Sequence, residues 1–119
     1  MYIKLHQCAK GIIAEVLCDG ILIKTTQDAL DLMADVDSRD SKKIILYKEN
    51  ISPDFFNLIT GLAGEILQKF VNYRIKLAVV GDFSKLSKNF NAFIVECNRG
   101  SQFFFAASLE EAIKKYDSN

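Results

Sequence analysis

The sequence predicts an α/β fold, in which strands alternate with amphipathic helices along 119 residues. Three observations predict it. Short apolar runs, such as Ile44-Ile45-Leu46-Tyr47 and Leu77-Ala78-Val79-Val80, have the length of strands covered on both faces. The segments between them repeat apolar residues at helical spacing. Ser or Thr stands where several of those segments begin, as helix caps do.

The elements follow in order. Residues 2–8 alternate in polarity as a strand. Lys10-Gly11 makes a turn and residues 12–17 read as a second strand, so the pair is a β-hairpin. Asp19-Gly20 is a further turn, with Ile21-Leu22-Ile23 a short extension. Thr25 N-caps a helix, and Asp28 sits in its first turn, where the helix dipole favours a negative charge. Ala29, Leu32, Met33 and Val36 form its buried stripe. Asp28, Asp31, Asp35 and Asp37 lie largely off that stripe and read as a solvated acidic face.

After the strand at 44–47, Ser52-Pro53-Asp54 has the composition of a helix start, with Ser as cap and Pro at the first helical position. Residues 55–73 carry the longest helical pattern, with Ile59, Leu62, Ala63, Ile66, Leu67 and Phe70 as its stripe. Gly61 and Gly64 fall inside that pattern, where each costs about 1 kcal/mol against Ala. Their spacing suggests a close approach by the sheet, another backbone or a partner. The strand at 77–80 ends at Gly81-Asp82, and Ser84 is expected to cap a helix with the stripe Leu86, Phe90, Phe93, Ile94 and Cys97. Gly100 closes it. Phe103-Phe104-Phe105-Ala106 is the last strand, and Ser108 with Glu111 opens the last helix. The order is β-β-α-β-α-β-α-β-α. It predicts one domain over residues 1–119, a mixed five-stranded sheet with helices packed against it.

Composition narrows the function classes. Lys+Arg and Asp+Glu are 15 each, so no basic excess points to nucleic acid. No apolar run reaches the roughly 18 residues a membrane helix needs, and the N-terminus has no signal-peptide core. A cytoplasmic protein is expected, bacterial in style. Cys8, Cys18 and Cys97 are odd in number and widely spaced, which suits free thiols in a reducing compartment rather than a zinc site. His6 is the single histidine and reads as a surface residue of an edge strand. No phosphate-binding glycine motif and no nucleophile motif is present. No metal, cofactor or catalytic set is therefore expected.

In open α/β sheets, ligands and partners meet the loops at the carboxyl ends of strands. Those loops are 48–56 and 81–86. Asp82 there is read chiefly as a cap. The candidate partner or ligand surface comprises Asp54, Phe55, Phe56, Gly61, Gly64, Asp82, Phe83 and Ser84. Three readings of it stand side by side: a protein-binding surface over 48–62 and 81–84, a small-molecule pocket fringed by Phe55, Phe56 and Phe83, and an enzyme using carboxylates around Asp54 and Asp82. A homodimer through an exposed edge at residues 2–8 is also open.

Three segments resemble STAS domains, the anti-sigma-factor-antagonist modules. Thr60-Gly61-Leu62-Ala63 resembles the Ser-Gly-Leu-Gly start of the second STAS helix. Leu77-Ala78-Val79-Val80-Gly81 resembles the next strand, and the run from Phe103 to Ala112 resembles the closing strand and helix. The resemblance implies a STAS-like (SpoIIAA-like) fold and a regulatory, protein-binding role. It also implies a phospho-acceptor at Thr60, or at Ser52 in an alternative register. The family's acidic residue before the acceptor is missing, since Leu58-Ile59 precede Thr60 here. More closely, the strings from Gln27 to Ala34, from Ser52 to Phe56 and from Thr60 to Phe70 look like bacterial domain-of-unknown-function family 4180, which implies no established activity.

Overall fold

The computed structural model describes residues 1–118. Its strands are β1 (Tyr2–Cys8), β2 (Gly11–Leu17), β3 (Lys43–Tyr47), β4 (Lys76–Val80) and β5 (Phe103–Ala106). They form one mixed sheet in the order β1-β2-β3-β4-β5. The β1–β2 pair is an antiparallel hairpin and the other pairs are parallel. The helices are α1 (Thr26–Asp37), α2 (Leu62–Tyr73), α3 (Lys88–Arg99) and α4 (Leu109–Ser118).

Strands 2 to 5 are laid down in spatial order, so crossovers of one hand deliver α1, α2 and α3 to the same face. The buried stripes of those three helices meet Ala14, Val16, Ile44, Leu46, Leu77, Val79 and Phe105 there. The opposite face is left to α4, whose Ala112 and Tyr116 pack on Ile13, Ile45, Ala78, Val80, Phe104 and Ala106. Burial on both faces is why β3 and β4 read as continuous apolar runs.

The caps of α1 and α4 form where the residues predict. Thr25 accepts from the Asp28 N–H, and Asp28 returns a carboxylate to the Lys24 and Thr25 N–H groups. Those bonds, that of Lys24 foremost, hold the Asp28 carboxyl below its ordinary range. Ser108 accepts from the Glu111 N–H. The acidic face of α1 pairs locally, Asp31 with Gln27, Asp35 with Arg39 and Asp37 with Lys42.

Two helix starts differ from expectation. Residues 55–61 are not the first turns of α2. They form two 3-10 turns, Pro53–Phe56 and Leu58–Thr60, before α2 begins at Leu62. Asn57 breaks the pattern, because its side chain accepts from the Ile59 N–H while its own backbone is extended. Ser52 therefore caps a 3-10 turn rather than α2. Likewise α3 begins at Lys88, capped by Ser87, three residues after the expected Ser84. Phe83 and Leu86 both turn into the core, which holds 82–86 in a bend and postpones the helix.

The two glycines thereby acquire different roles. Gly61 is the left-handed N-cap of α2, with φ +78°. Gly64 lies within α2, on its exposed side, and a Cβ there would touch nothing within 4 Å. Among the described residues nothing of the sheet or of another segment makes the expected close approach at Gly64. Gly64→Ala is expected to stabilise the protein by about 0.5–1 kcal/mol, while Gly61→Ala costs about 1–2 kcal/mol. Urea midpoints of the two variants check this; equal effects would contradict the conformational argument.

Candidate functional site

The carboxyl ends of β3 and β4 frame a crevice of about 540 Å³, lined by Ile21, Lys48, Ile51, Pro53, Phe56, Asp82 and their neighbours. The expected loops thus meet at one place. Gly81 lets them meet, since a Cβ on it would approach the Lys48 Cβ to 2.6 Å. Lys48 Nζ donates to the Asp82 carbonyl at 2.8 Å and ties the two loops together. Asp82 Oδ1 accepts the Ser84 N–H at 3.0 Å, and that bond holds its carboxyl below the ordinary range, with Lys48 and Lys85 adding to the effect.

Asn50 builds the other wall. It is buried in a 3-10 turn at Lys48–Asn50, and its Nδ2 donates to the carbonyls of Cys18 and Gly20 at 2.8 and 2.7 Å. Its own carbonyl accepts the N–H groups of Leu22 and Ile23. The Ile21 segment is thus hydrogen-bonded to the end of β3. The Nδ2 and the backbone carbonyl of Asn50 are both engaged across this junction, which braces the wall.

The predicted surface residues divide. Phe56 and Asp82 line the crevice. Phe55 is 1% exposed and belongs to the core against Phe56 and Phe90, so it is not a surface residue. Phe83 is half-buried between Phe56 and Phe105. Asp54 and Asp82 are both exposed, and only Asp82 borders the crevice, so they form no buried carboxylate pair. Among the described residues no three His, Cys, Asp or Glu are grouped to hold a metal ion. Ser84 contributes its backbone. Gly61 and Gly64 lie along exposed positions at the start of α2.

Thr60 is exposed, yet its hydroxyl is occupied. It lies 2.7 Å from the Asp54 carbonyl and 2.9 Å from that of Asn57, and it accepts the Leu62 N–H. The hydroxyl thus links the 3-10 turns to α2. Ser52 Oγ accepts from the Asp54 N–H. These bonds present Ile59, which is 95% exposed, at the tip of the loop, with Leu58 beside it.

A second polar group lies on the α4 side of the sheet. Glu15 is only 3% exposed, and its carboxylate accepts from Tyr47 at 2.6 Å and bonds His6 Nε2 at 2.8 Å. His6 is therefore not a free surface residue. Burial, followed by the bond to Glu15, pushes the Tyr47 phenol above its ordinary range. The bonds cross three strands and pin the hairpin to β3. Its sequence signal is an acid inside the apolar run Ile13-Ala14-Glu15-Val16, which gains meaning only once the hairpin register sets Lys4 opposite Glu15 and His6 beside it.

Fold and crevice together define an α/β domain with a strand-end crevice and a capped loop that exposes Leu58 and Ile59. The chain belongs to the family described as Domain of unknown function (DUF4180), which matches residues 9–116. No curated protein and no solved structure matches it. Among the described residues no helix is long and apolar enough to cross a membrane.

Proposed function

We propose that this chain is a non-enzymatic, STAS-like regulatory module that binds a protein partner through the strand-end crevice and the loop carrying Ile59. The exposure of Ile59 carries the proposal. A nearly bare aliphatic side chain on a loop held by three side-chain caps suits recognition, because the loop is already ordered before a partner arrives. Phosphorylation is the proposed switch. A phosphate on Thr60 would remove the hydroxyl donor to the turn and place charge beside the start of α2. Ser52 is the second acceptor, at the start of the preceding turn. Three free cysteines suit work in a reducing cytoplasm, in a bacterial setting.

A photo-crosslinking residue at position 59, introduced in the native cell, is expected to give a discrete covalent adduct. The same residue at Val95, which is 53% exposed on α3, is the control. An absence of adducts at 59, or the same adducts at both positions, would sink the proposal. The crevice itself favours a second reading, a small apolar ligand or lipid. Its volume lies in the range of ligand pockets, and apolar Ile21, Ile51, Pro53, Phe56 and Leu86 line it together with Lys48, Glu49 and Asp82. Stabilisation by a metabolite or lipid that Phe56→Ala abolishes would support that reading instead.

A further inference from the structure

We propose that β1 pairs with β1 of a second copy of this chain, antiparallel about Leu5, so that two five-stranded sheets join into one. The surface concerned is the free edge of the hairpin, remote in the sheet order from the ends of β3 and β4. The proposal is independent of the strand-end reading.

The two edges of the sheet are unlike. β5 is four residues long. β1 is seven, and its pairing with β2 runs without a bulge from Tyr2 to Cys8. Natural edges are blunted by proline, bulges, charge or shortness. β1 has no proline, and its one Lys or Arg is Lys4. Tyr2 and Leu5 on it are 64% and 45% exposed, and Leu17 across from Tyr2 is 37% exposed.

The hairpin turn decides which backbone groups face outward. Cys8 and Gly11 stand directly opposite each other across a two-residue connection. Such a closing pair must exchange both hydrogen bonds, because Ala9 and Lys10 are too close in the chain to bond each other around it. The bonded pairs then alternate along β1 at Cys8, His6, Lys4 and Tyr2. Ile3, Leu5 and Gln7 are left with N–H and C=O pointing away from β2.

A two-fold axis at Leu5 matches these groups with themselves. Leu5 meets Leu5 of the second copy and Ile3 meets its Gln7, each as a bonded pair, and all seven residues take part. On the α4 side Lys4 comes opposite the second copy's His6. With Nε2 of that ring held by Glu15, its Nδ1 remains to accept from the ammonium. An axis at Lys4 would instead oppose two ammonium groups, which cross-strand pairing disfavours.

Sedimentation velocity across a concentration series tests the pairing. The wild-type chain is expected to be a concentration-dependent dimer. Leu5→Lys sets two like charges on the axis and is expected to weaken the dimer about tenfold or more. Leu5 is already part-exposed, so the protomer keeps its fold, which circular dichroism checks. A second variant fixes the register: Leu5→Cys, in a chain also carrying Cys8→Ser, Cys18→Ser and Cys97→Ala, is expected to form an interchain disulfide on mild oxidation. Cα atoms of a bonded pair lie about 5.5 Å apart, within disulfide range. Lys4→Cys in the same background lies off the axis and crosslinks poorly. A monomeric wild type, a dimer indifferent to Leu5→Lys, or equal crosslinking at positions 4 and 5 would each overturn the proposal.

Discussion

Phe90→Ala is expected to lower stability by about 3–5 kcal/mol, the cost of truncating a buried aromatic. Phe90 is fully buried on α3 and is the hub of the aromatic cluster. Its ring lies 5.5 Å from Phe56, 5.4 Å from Phe93, 5.9 Å from Phe105 and 6.4 Å from Phe55. The rings come from the 3-10 turn, α3 and β5, so no single element can close the gap left by truncation. Phe56 is also a wall of the crevice, and its support is lost with Phe90. The variant should therefore unfold at lower urea and expose the crevice wall to solvent quenchers. Phe90→Leu, which keeps most of the volume, should cost less than half as much. A loss below about 1 kcal/mol for Phe90→Ala would mean that the site collapses freely and that the cluster is not a rigid support.

The second large effect is expected at the polar group beneath the hairpin. Tyr47→Phe removes one of the two donors that hold the buried Glu15 carboxylate. Loss of a hydrogen bond to a charged group costs about 1.5–3 kcal/mol. Glu15→Leu should cost less, because it removes the buried charge together with its need for donors, and the half-buried Tyr47 can turn to water. Denaturant midpoints of the two variants at neutral pH decide this; the reverse order would contradict the desolvation argument.

The pH dependence carries a sign. The folded state holds the Tyr47 phenol, and the fully buried Tyr116, above the ordinary tyrosine value. Burial raises Tyr116, whose hydroxyl keeps its proton in a bond to the Ile44 carbonyl. A raised folded value favours the protonated form in the folded chain. The resulting stability is complete below about pH 10, where tyrosine in the unfolded chain begins to ionise, and is lost as pH rises beyond it. The Cys97 thiol, pushed up to about 11 by burial, acts in the same direction from pH 9 upward. Alkaline titration should therefore lower the wild-type midpoint steadily, and Tyr47→Phe should make that fall shallower.

The reach of the sequence can be judged at particular residues. Thr25 was legible as a cap because a cap needs only its own helix, and the stripe of α1 was legible because its spacing is local; that of α2 was legible only from Leu62 onward, since Ile59, expected in it, is 95% exposed outside the helix. Ser84 misled where Ser87 caps. Both are serines before the same helix, and the choice between them rests on Phe83 and Leu86 reaching the core. The long pattern from 55 to 73 misled for a related reason. Phe55, Phe56 and Ile59 fit helical spacing, but Asn57 and Thr60 bind the backbone back on itself, and two buried adjacent phenylalanines need a turn that aims both inward.

The α/β class, the order of nine strands and helices, and the two strand-end loops after β3 and β4 were readable from the residues alone. Those follow from periodicity and from the obligate path of parallel strands. It took the packed chain to show that three helices share one face, that Asn50 braces the crevice, and that His6, Glu15 and Tyr47 meet. These depend on crossover hand and strand register, which bring together residues nine to 32 positions apart. Local spacing carries no information at that range.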